Sequence, residues 1–572
     1  MKSSSLARIT AAAAFLLALG SFAASQSNDF GPAKVAYDDY IKRPSLQMRT
    51  RGRIKLAQTG DVRALKILSD SYGKAEDPKD HVKYLLTSIC SQYLREESFV
   101  PIYKEWREKY TTPGDAWLWY RSLLIHADNA GNDELVATVK STRGLFIRAA
   151  AMEALAECSA EQCLPLLLEL LPAWKQNIKE FKGIDRTVML ECAIRMMYAR
   201  AHELGTDNFR NVGLQLIPWM ADKETDPRTR LVMARYLREM LGGEKLFVNG
   251  EPWLDKLLNP TREEPRDSRY VSVPPTKFVG VEATGVRIAY VIDLSDSMMK
   301  PMSVKEKEEI KKPPPPKGPV TPGRGEKADK PAPEEPKEEP KKEEDINDKL
   351  PWDKIKCRFH AAREYLKLSL QSLRPEQFYC VIMVGTTAEL AKSTTGLVPA
   401  TPANIQATIR ELDNITPGPA TDVRKDGVLM GDTNLHGGIH RAFKVKKGGM
   451  VKEYEYVDPS TFPEGADTVF VLSDGDPTDD DWAIPDKRDK DDQTGDPETR
   501  TKMPDQDVLR FPGPYGYRYE GTYLPDDVRR LNLFRKCEIH CIGIGEASYG
   551  LLQNIAKWGM GQVKMVGSGS GK

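Results

Sequence analysis

The chain has 572 residues, and its 83 basic and 83 acidic side chains give a formal net charge of zero. At roughly 100–200 residues per domain, this length argues against a single domain. Apolar residues make up 40% of the chain and charged residues 29%, which excludes disorder throughout. A dedicated nucleic-acid binder would carry a basic excess, so the neutral balance argues against nucleic acid as a partner.

Residues 1–25 have the parts of a secretory signal peptide. Lys2 and Arg8 supply positive charge, 9–19 is apolar, and small residues follow. An uncleaved membrane anchor is the alternative, although the apolar stretch is short for a bilayer. Since no later run of about 18 apolar residues exists, we expect no membrane span once the signal peptide is cleaved. A signal peptide without a later stop-transfer segment or dense disulfides is typical of a bacterial protein that is secreted or held in the periplasm or cell envelope.

Residues 28–260 have apolar side chains at helical spacing and few strand patterns. An Ala-rich helix over 146–156 and a Leu-rich helix over 164–171 predict a helical hairpin, and similar patterns recur over 51–68 and 228–241. The pattern resembles HEAT-type helical repeats, which implies a stack of helices with an extended surface for partner proteins. A plain all-α domain is the alternative.

The eight cysteines are too few for a disulfide scaffold in a chain of this length. Cys158 and Cys163 could pair across a turn between two helices. The interpretation we prefer is that most of the cysteines are small buried apolar residues. A linker over 261–282 is expected to lead from the helical half to the C-terminal half.

Three segments of the C-terminal half carry hydroxyl and carboxylate side chains. A buried strand predicted over 286–292 ends in the sequence DLSDS at 293–297. A loop over 431–434 contains a threonine and leads into a helix. A second buried strand over 468–472 ends in the sequence SDG at 473–475. Because ligands bind beyond the carboxyl ends of parallel strands, we expect the three loops to meet at one edge of a sheet.

In this order, the three loops resemble those that build the metal-ion-dependent adhesion site of von Willebrand factor A-type domains. The resemblance covers about residues 283–568 and implies a doubly wound, Rossmann-like α/β fold that binds Mg²⁺, or Mn²⁺ or Ca²⁺. Hard oxygen ligands suit these cations rather than zinc. By motif position, the implied ligands, direct or through water, are Asp293, Ser295, Ser297, Thr433 and Asp474.

The resemblance also implies how such a site would act. Few carboxylates around the ion leave it electrophilic, so that an open position can accept an Asp or Glu side chain from a partner protein. A vestigial site or a purely structural ion is the alternative. Alternating elements in the remainder predict a doubly wound sheet: strands over 377–384, 538–545 and 562–566, and helices over 352–373, 403–412, 434–443, 526–534 and 549–558.

Two insertions depart from the family pattern. Residues 301–350 contain 11 prolines and 25 charged residues, which predicts a disordered segment. It is either a tether, partner ligand or gate over the site, or a tolerated surface insertion. The loop over 475–523 is acidic, since 474–507 holds 13 acidic and 5 basic residues. It gathers negative charge beside the predicted cation site, where it would repel anions or attract a basic partner.

His436 and His440 are four residues apart, which is a metal-ligand spacing on a helix. No Glu follows His436, so the pattern of zinc metalloproteases is not met. The sequence also offers no nucleophile–base pair or catalytic carboxylate pair, and we expect a binding protein rather than an enzyme. Two functions remain open: adhesion through a cation that docks an acidic partner residue, or a scaffold in which the helical repeats bind partners and the metal is only structural.

Overall fold

The computed structural model describes residues 30–262, 272–303, 349–415, 431–451, 456–475 and 520–567, apart from gaps at 44–45, 75–76 and 78, and a few isolated positions outside these ranges. The predicted signal peptide at 1–25 lies outside the described residues. So do most residues of the two predicted insertions, at 301–350 and 475–523.

The N-terminal half is helical, as its apolar spacing predicts. Its α-helices are α1 (Phe30–Tyr40), α2 (Leu46–Ala57), α3 (Val62–Ser71), α4 (Lys79–Tyr84), α5 (Val100–Lys109), α6 (Ala116–Ala130), α7 (Asp133–Lys140), α8 (Leu145–Glu157), α9 (Cys163–Gln176), α10 (Gly183–Ala199), α11 (Asp207–Leu216), α12 (Pro227–Leu241) and α13 (Glu251–Leu258).

Alternate helices of this half stack on one another. Helices α6, α8, α10 and α12 pack in succession, and α9, α11 and α13 pack beside them. Helix α8 is rich in alanine, and Ala149, Ala150, Ala151 and Ala154 are fully buried. Their small side chains let neighbouring helices approach closely, which explains why this Ala-rich stretch lies at the centre of the helical half.

The C-terminal half is an α/β unit. Its helices are α14 (Arg358–Gln371), α15 (Pro402–Asn414), α16 (Leu435–Lys444), α17 (Thr461–Glu464), α18 (Glu520–Asn532) and α19 (Tyr549–Lys557). Its strands are β1 (Thr276–Phe278), β2 (Val281–Ala283), β3 (Arg287–Asp293), β4 (Phe378–Val384), β5 (Ala388–Leu390), β6 (Val398–Pro399), β7 (Val445–Lys446), β8 (Gly449–Met450), β9 (Thr468–Ser473), β10 (Glu538–Ile544) and β11 (Val563–Val566).

The main sheet has the order β11-β10-β9-β3-β4-β5, with β6 also paired to β4. The five strands from β11 to β4 are parallel, and β5 and β6 run antiparallel to β4. After β3 the chain builds β4 on one side and later returns to build β9 on the other. Strands β3 and β9 therefore flank the point where the strand order reverses, which is where open α/β sheets bind ligands.

Helices cover both faces of the sheet. Along β3, Ile288, Tyr290 and Ile292 face one apolar core and Ala289 and Val291 face the other. Helices α14 and α15 contribute to the first core, and α16, α18 and α19 to the second. Burial on both faces explains why this strand reads as a continuous apolar run, and the layers are those of the predicted doubly wound fold.

The segment 261–282, predicted as a linker, contains β1 and most of β2. These strands form an antiparallel hairpin. The ring of Phe278 is fully buried and meets Tyr290 and Phe470 edge-on, with centroids 5.3 and 5.2 Å away. The hairpin therefore packs on the core of the α/β unit. The sequence did not predict this contact, because the two strands are only three residues long.

Helix α18 connects the two halves. Arg529 pairs with Glu157 of α8 at 3.1 Å and also hydrogen-bonds the hydroxyl of Tyr120 of α6. The hydroxyl of Tyr84 of α4 donates to the backbone oxygen of Tyr523 over 3.0 Å. The helical half is thus packed against the face of the α/β unit that α18 covers.

Aromatic packing extends this contact. The ring of Phe146 of α8 lies 5.6 Å from that of Phe462 and 5.4 Å from that of Phe534. Arg228 of α12 donates to the backbone oxygen of Phe462 over 2.8 Å. Part of the surface that the helical half was expected to offer to other proteins is therefore buried against its own α/β unit.

All eight cysteines are thiols, and all but Cys158 are buried, which confirms their interpretation as buried apolar residues. Burial raises the pKa of Cys163 to about 12 and that of Cys158 to about 11. Across the described residues, no helix combines the length and apolar character that a bilayer crossing requires.

Candidate metal centre

The predicted site lies at the carboxyl ends of two adjacent parallel strands. Asp293 is the last residue of β3, and Asp474 follows the last residue of β9. The strands are paired in register up to Ile292 and Leu472. Because paired parallel strands end at the same edge, the two carboxylates, distant in sequence, are brought to one crevice.

Both carboxylate oxygens of Asp293 accept hydrogen bonds. Its Oδ1 accepts from the backbone N–H of Ser295 over 2.8 Å, and its Oδ2 accepts from the hydroxyl of Ser473 over 2.6 Å. Burial, and after it the negative charge of Asp474, raises the pKa of Asp293 to about 6. Two buried acidic groups at one edge are an arrangement that a cation would stabilise.

The two serines of the first loop form a chain that ends on Asp474. The hydroxyls of Ser295 and Ser297 lie 3.0 Å apart, and the Ser297 hydroxyl donates to Oδ1 of Asp474 over 2.5 Å. Ser295 and Asp474 are almost fully buried. The structure thus brings together the four predicted ligands that follow β3 and β9.

Thr433 is the fifth predicted ligand and lies in the loop before α16. It is buried, and its N–H donates to the hydroxyl of Thr478 over 2.8 Å. The N–H of Thr478 donates in return to the backbone oxygen of Thr433 over 3.0 Å. On the other side, the N–H of Asp296 donates to the oxygen of Gly431 over 3.2 Å. These hydrogen bonds tie the threonine loop to the other two loops.

The local sequence explains how α16 starts at this point. The side chain of Asn434 caps the helix by accepting from the N–H of Gly437 over 2.7 Å. At Gly438, a Cβ atom would lie 2.5 Å from the side chain of Val384 and 2.7 Å from that of Val291. Only glycine permits this close approach of α16 to the sheet. The N–H of Asn434 donates to the backbone oxygen of Gly385, directly after β4, over 2.8 Å, which holds the threonine loop near the end of that strand.

Arg358, the first residue of α14, is a residue of the site that the sequence motifs do not include. Its Nη1 donates to Oδ2 of Asp474 over 2.9 Å, and its side chain is 5% exposed. Its guanidinium group also lies against Gly545, whose φ of +68° and lack of a side chain leave the necessary room. No spacing signal marks this arginine, because it follows the long insertion over 301–350 in sequence.

The donor set fits a hard divalent cation. Hydroxyl and carboxylate oxygens are the ligands of Mg²⁺, Mn²⁺ and Ca²⁺ in proteins. Ser295, Ser297 and Thr433 would offer hydroxyls, and Asp293 and Asp474 would supply the negative charge. A bound cation would supply Lewis acidity at this edge. The chain's own contribution is to hold the oxygens in place and, through Arg358, to offset part of the charge of Asp474.

No protein-family model matches the chain, and no curated protein matches it. Solved structures are similar to about half of it. A von Willebrand factor type A protein from Catenulispora acidiphila is 13% identical, with 50% of this chain and 40% of that chain covered and a TM-score of 0.26.

Two further structures are similar at the same level. The mussel byssus proximal thread matrix protein 1, solved with a zinc-occupied MIDAS motif, is 12% identical, with 49% and 41% of the two chains covered and a TM-score of 0.23. A point mutant of the PilB minor pilin from Streptococcus sanguinis is 12% identical, with 50% and 57% covered and a TM-score of 0.24. The chain spans about half the length of these proteins.

Proposed function

We propose that the protein binds other proteins through a divalent cation. The cation is Mg²⁺, or Mn²⁺ or Ca²⁺, held by the five oxygen-bearing residues Asp293, Ser295, Ser297, Thr433 and Asp474. It docks an Asp or Glu side chain of the partner. The protein works outside the cell or in the cell envelope as an adhesion or interaction protein, and its role is binding rather than catalysis.

One observation carries the proposal: the hydrogen-bonded chain from Ser295 through Ser297 to Asp474 at the switch point of the sheet. The proposed ligand set has three hydroxyl side chains and two carboxylates. The two carboxylates balance the two charges of a divalent ion, and the guanidinium of Arg358 beside Asp474 adds one positive charge. That charge favours an anionic ligand in the remaining coordination position.

The helical half has a supporting role in this proposal. Part of its surface is buried against the α/β unit, in the contacts that involve Arg529, Phe146 and Arg228. This favours a helical half that holds the metal-bearing unit in place over one that grips partners by itself. Stacked helices of this kind resemble HEAT repeats in their sequence pattern, and the metal-bearing edge remains the docking surface we assign.

The proposal is tested by recovering partners from an envelope fraction with the full-length protein. Mg²⁺ and EDTA conditions are compared, and Asp293→Ala is compared with the control Asp296→Asn, which alters an exposed residue of the same loop. We expect a defined partner that is retained with Mg²⁺ and lost with EDTA or Asp293→Ala, but kept by the control. Binding that is indifferent to both chelation and Asp293→Ala would refute the proposal.

A further inference from the structure

We infer that His436, His440 and Asp527 form a second metal site, separate from the proposed adhesion site, which binds Zn²⁺ or a transition metal of similar preference. The site lies between α16 and α18. His436 and His440 are one turn apart on α16, and Asp527 is on α18. The sequence predicted only the histidine spacing, because Asp527 lies almost ninety residues further along the chain.

The three side chains converge on one point. One potential ligand atom from each lies within 4.8 Å of the other two. The Nε2 atoms of His436 and His440 lie 2.8 and 2.5 Å from the same atom, Oδ2 of Asp527, and the two imidazole rings are 4.1 Å apart. Each side chain is at most 1% exposed. This is a built site with its ligand atoms directed at one another.

The distances between Asp527 and the two histidines allow the site to exist both without a metal and with bound zinc. In the structure, Oδ2 of Asp527 lies at hydrogen-bonding distance from both imidazoles. Around a tetrahedral zinc at about 2.0–2.1 Å, ligand atoms are about 3.3 Å apart. A zinc ion therefore needs the carboxylate to withdraw by less than about an ångström, which a change in one side-chain torsion provides.

The protonation states favour a metal. Burial lowers the pKa of His440 to about 4, so this imidazole is neutral, and therefore in its metal-binding form, at pH 7. Burial alone would raise the pKa of Asp527, but Arg530 and the histidines hold it well below its usual range, so that the carboxylate is ionised. Neither His440 nor Asp527 would have to lose a proton at neutral pH when the metal binds.

The charges around Asp527 also favour a bound cation. The Nε of Arg530 donates to the other oxygen of Asp527 over 2.5 Å. The two terminal nitrogens of Arg530 donate to both oxygens of Asp80 over 2.7 and 2.9 Å. Two buried carboxylates thus share one guanidinium, so that Asp527, Asp80 and Arg530 together carry one net negative charge. A cation at the histidines would compensate it.

The ligand types select the metal. Imidazole nitrogens with a single carboxylate suit Zn²⁺ and related transition metals, whereas Mg²⁺ and Ca²⁺ prefer oxygen alone. Three protein ligands leave the fourth position of a tetrahedral ion to water, and because the site is buried between two helices we assign it a structural role. It would fix α16, which begins two residues after Thr433, to α18, and Arg530 and Asp80 would extend the link to the helical half. Arg530 and Asp80 act as positioning residues that orient Asp527.

The test uses the full-length protein, stripped with a chelator and then equilibrated with Zn²⁺ in excess Mg²⁺, which competes at the oxygen-lined site. Zinc retained after gel filtration is measured by mass spectrometry. We expect about one equivalent in the wild type and in Asp293→Ala. In His436→Gln and His440→Gln we expect zinc binding at least 100-fold weaker. Glutamine keeps an N–H that can donate to Asp527, so the helix contact survives.

A second measurement reports the coordination geometry of the bound metal directly. Co²⁺ in a four-coordinate site with histidine ligands gives an intense visible absorption, whereas six-coordinate Co²⁺ on oxygen ligands gives a weak one. We expect the intense band in the wild type and its loss in His440→Gln. A wild type with only the weak band, or zinc retention unchanged in both histidine variants, would overturn the inference. Neither result would affect the proposed adhesion site.

Discussion

Arg358 donates from Nη1 to Oδ2 of Asp474 over 2.9 Å, and both side chains are buried. The same carboxylate accepts from the Ser297 hydroxyl through Oδ1. One predicted metal ligand therefore already has a cationic neighbour from a helix that the sequence motif does not include. Arg358 compensates Asp474 without a cation and weakens the attraction for one.

This relationship predicts how Arg358→Gln behaves. Removing one partner of a buried ion pair typically costs about 3–5 kcal/mol, so the cation-free variant should melt several degrees below the wild type. Saturating Mg²⁺ should restore much of this loss, because the cation replaces the missing positive charge beside Asp474. Thermal unfolding with and without Mg²⁺ measures the effect. Arg363→Gln, on the same helix, is the control, and an equal Mg²⁺-induced shift in both variants would contradict the prediction.

The second prediction concerns the hydroxyl chain. Ser297→Ala removes the donor to Asp474 and one proposed ligand, and should weaken Mg²⁺ binding at least tenfold in calorimetric titration. The matched control is Asp296→Asn, because Asp296 is exposed and its Oδ1 accepts from the N–H of Gly431 over 3.3 Å, which asparagine can also do. If the two variants bind Mg²⁺ equally well, Ser297 is not a ligand.

The third prediction is a pH dependence in the helical half. His81 is fully buried beside the hydroxyl of Thr50, 3.2 Å from its Nε2, and burial lowers the pKa of His81 to about 3. Below pH about 6.5 the unfolded chain takes up a proton that the folded chain refuses. The folded state is therefore favoured above pH about 6.5 and loses stability as the pH falls towards 3.

This loss amounts to about 1.4 kcal/mol per pH unit. Between pH 7.5 and 5.5, the free energy of unfolding of the wild type should fall by about 1.4 kcal/mol more than that of His81→Gln, as measured by urea denaturation. Identical pH profiles for the two proteins would show that His81 does not contribute in this way.

The fourth prediction tests the contact between the two halves. Phe146 is buried against Phe462 and Phe534, so Phe146→Ala should destabilise the protein by about 3–5 kcal/mol. Because its ring joins both halves, calorimetry should show that they melt together and shift together. Leu214→Ala, at an exposed position, should shift the transition little. A variant in which only the helical half melts earlier would contradict the contact.

Much of the fold followed from local sequence patterns. The buried strands ending at Asp293 and Ser473 are continuous apolar runs, and such runs bounded by polar loops mark central strands of a parallel sheet. The motif residues lie at the ends of these strands, so their grouping at one edge followed from the order of the strands. Helix α14 was predicted from residue 352 but begins at Arg358, because Cys357 is extended and bridges to Pro301.

Other features depend on contacts between distant parts of the chain. Nothing near Arg358 in sequence indicates Asp474, and nothing near His436 indicates Asp527, since each pair is joined only when helices pack against the sheet. The packing of Phe146 on Phe462 could not be predicted either. A phenylalanine on an amphipathic helix indicates that the ring is buried, but not which residue it packs against. The first two of these contacts decide the charge around the candidate metal sites.

Mn²⁺ binding probes the proposed adhesion site directly. Water-proton relaxation reports both Mn²⁺ binding and the water molecules that remain on the ion. We expect stoichiometric Mn²⁺ binding that is lost in Asp293→Ala, and displacement of bound water when a peptide with an exposed Asp is added, but not its Asn counterpart. Equal Mn²⁺ binding by wild type and Asp293→Ala, or no response to the Asp peptide, would contradict this expectation.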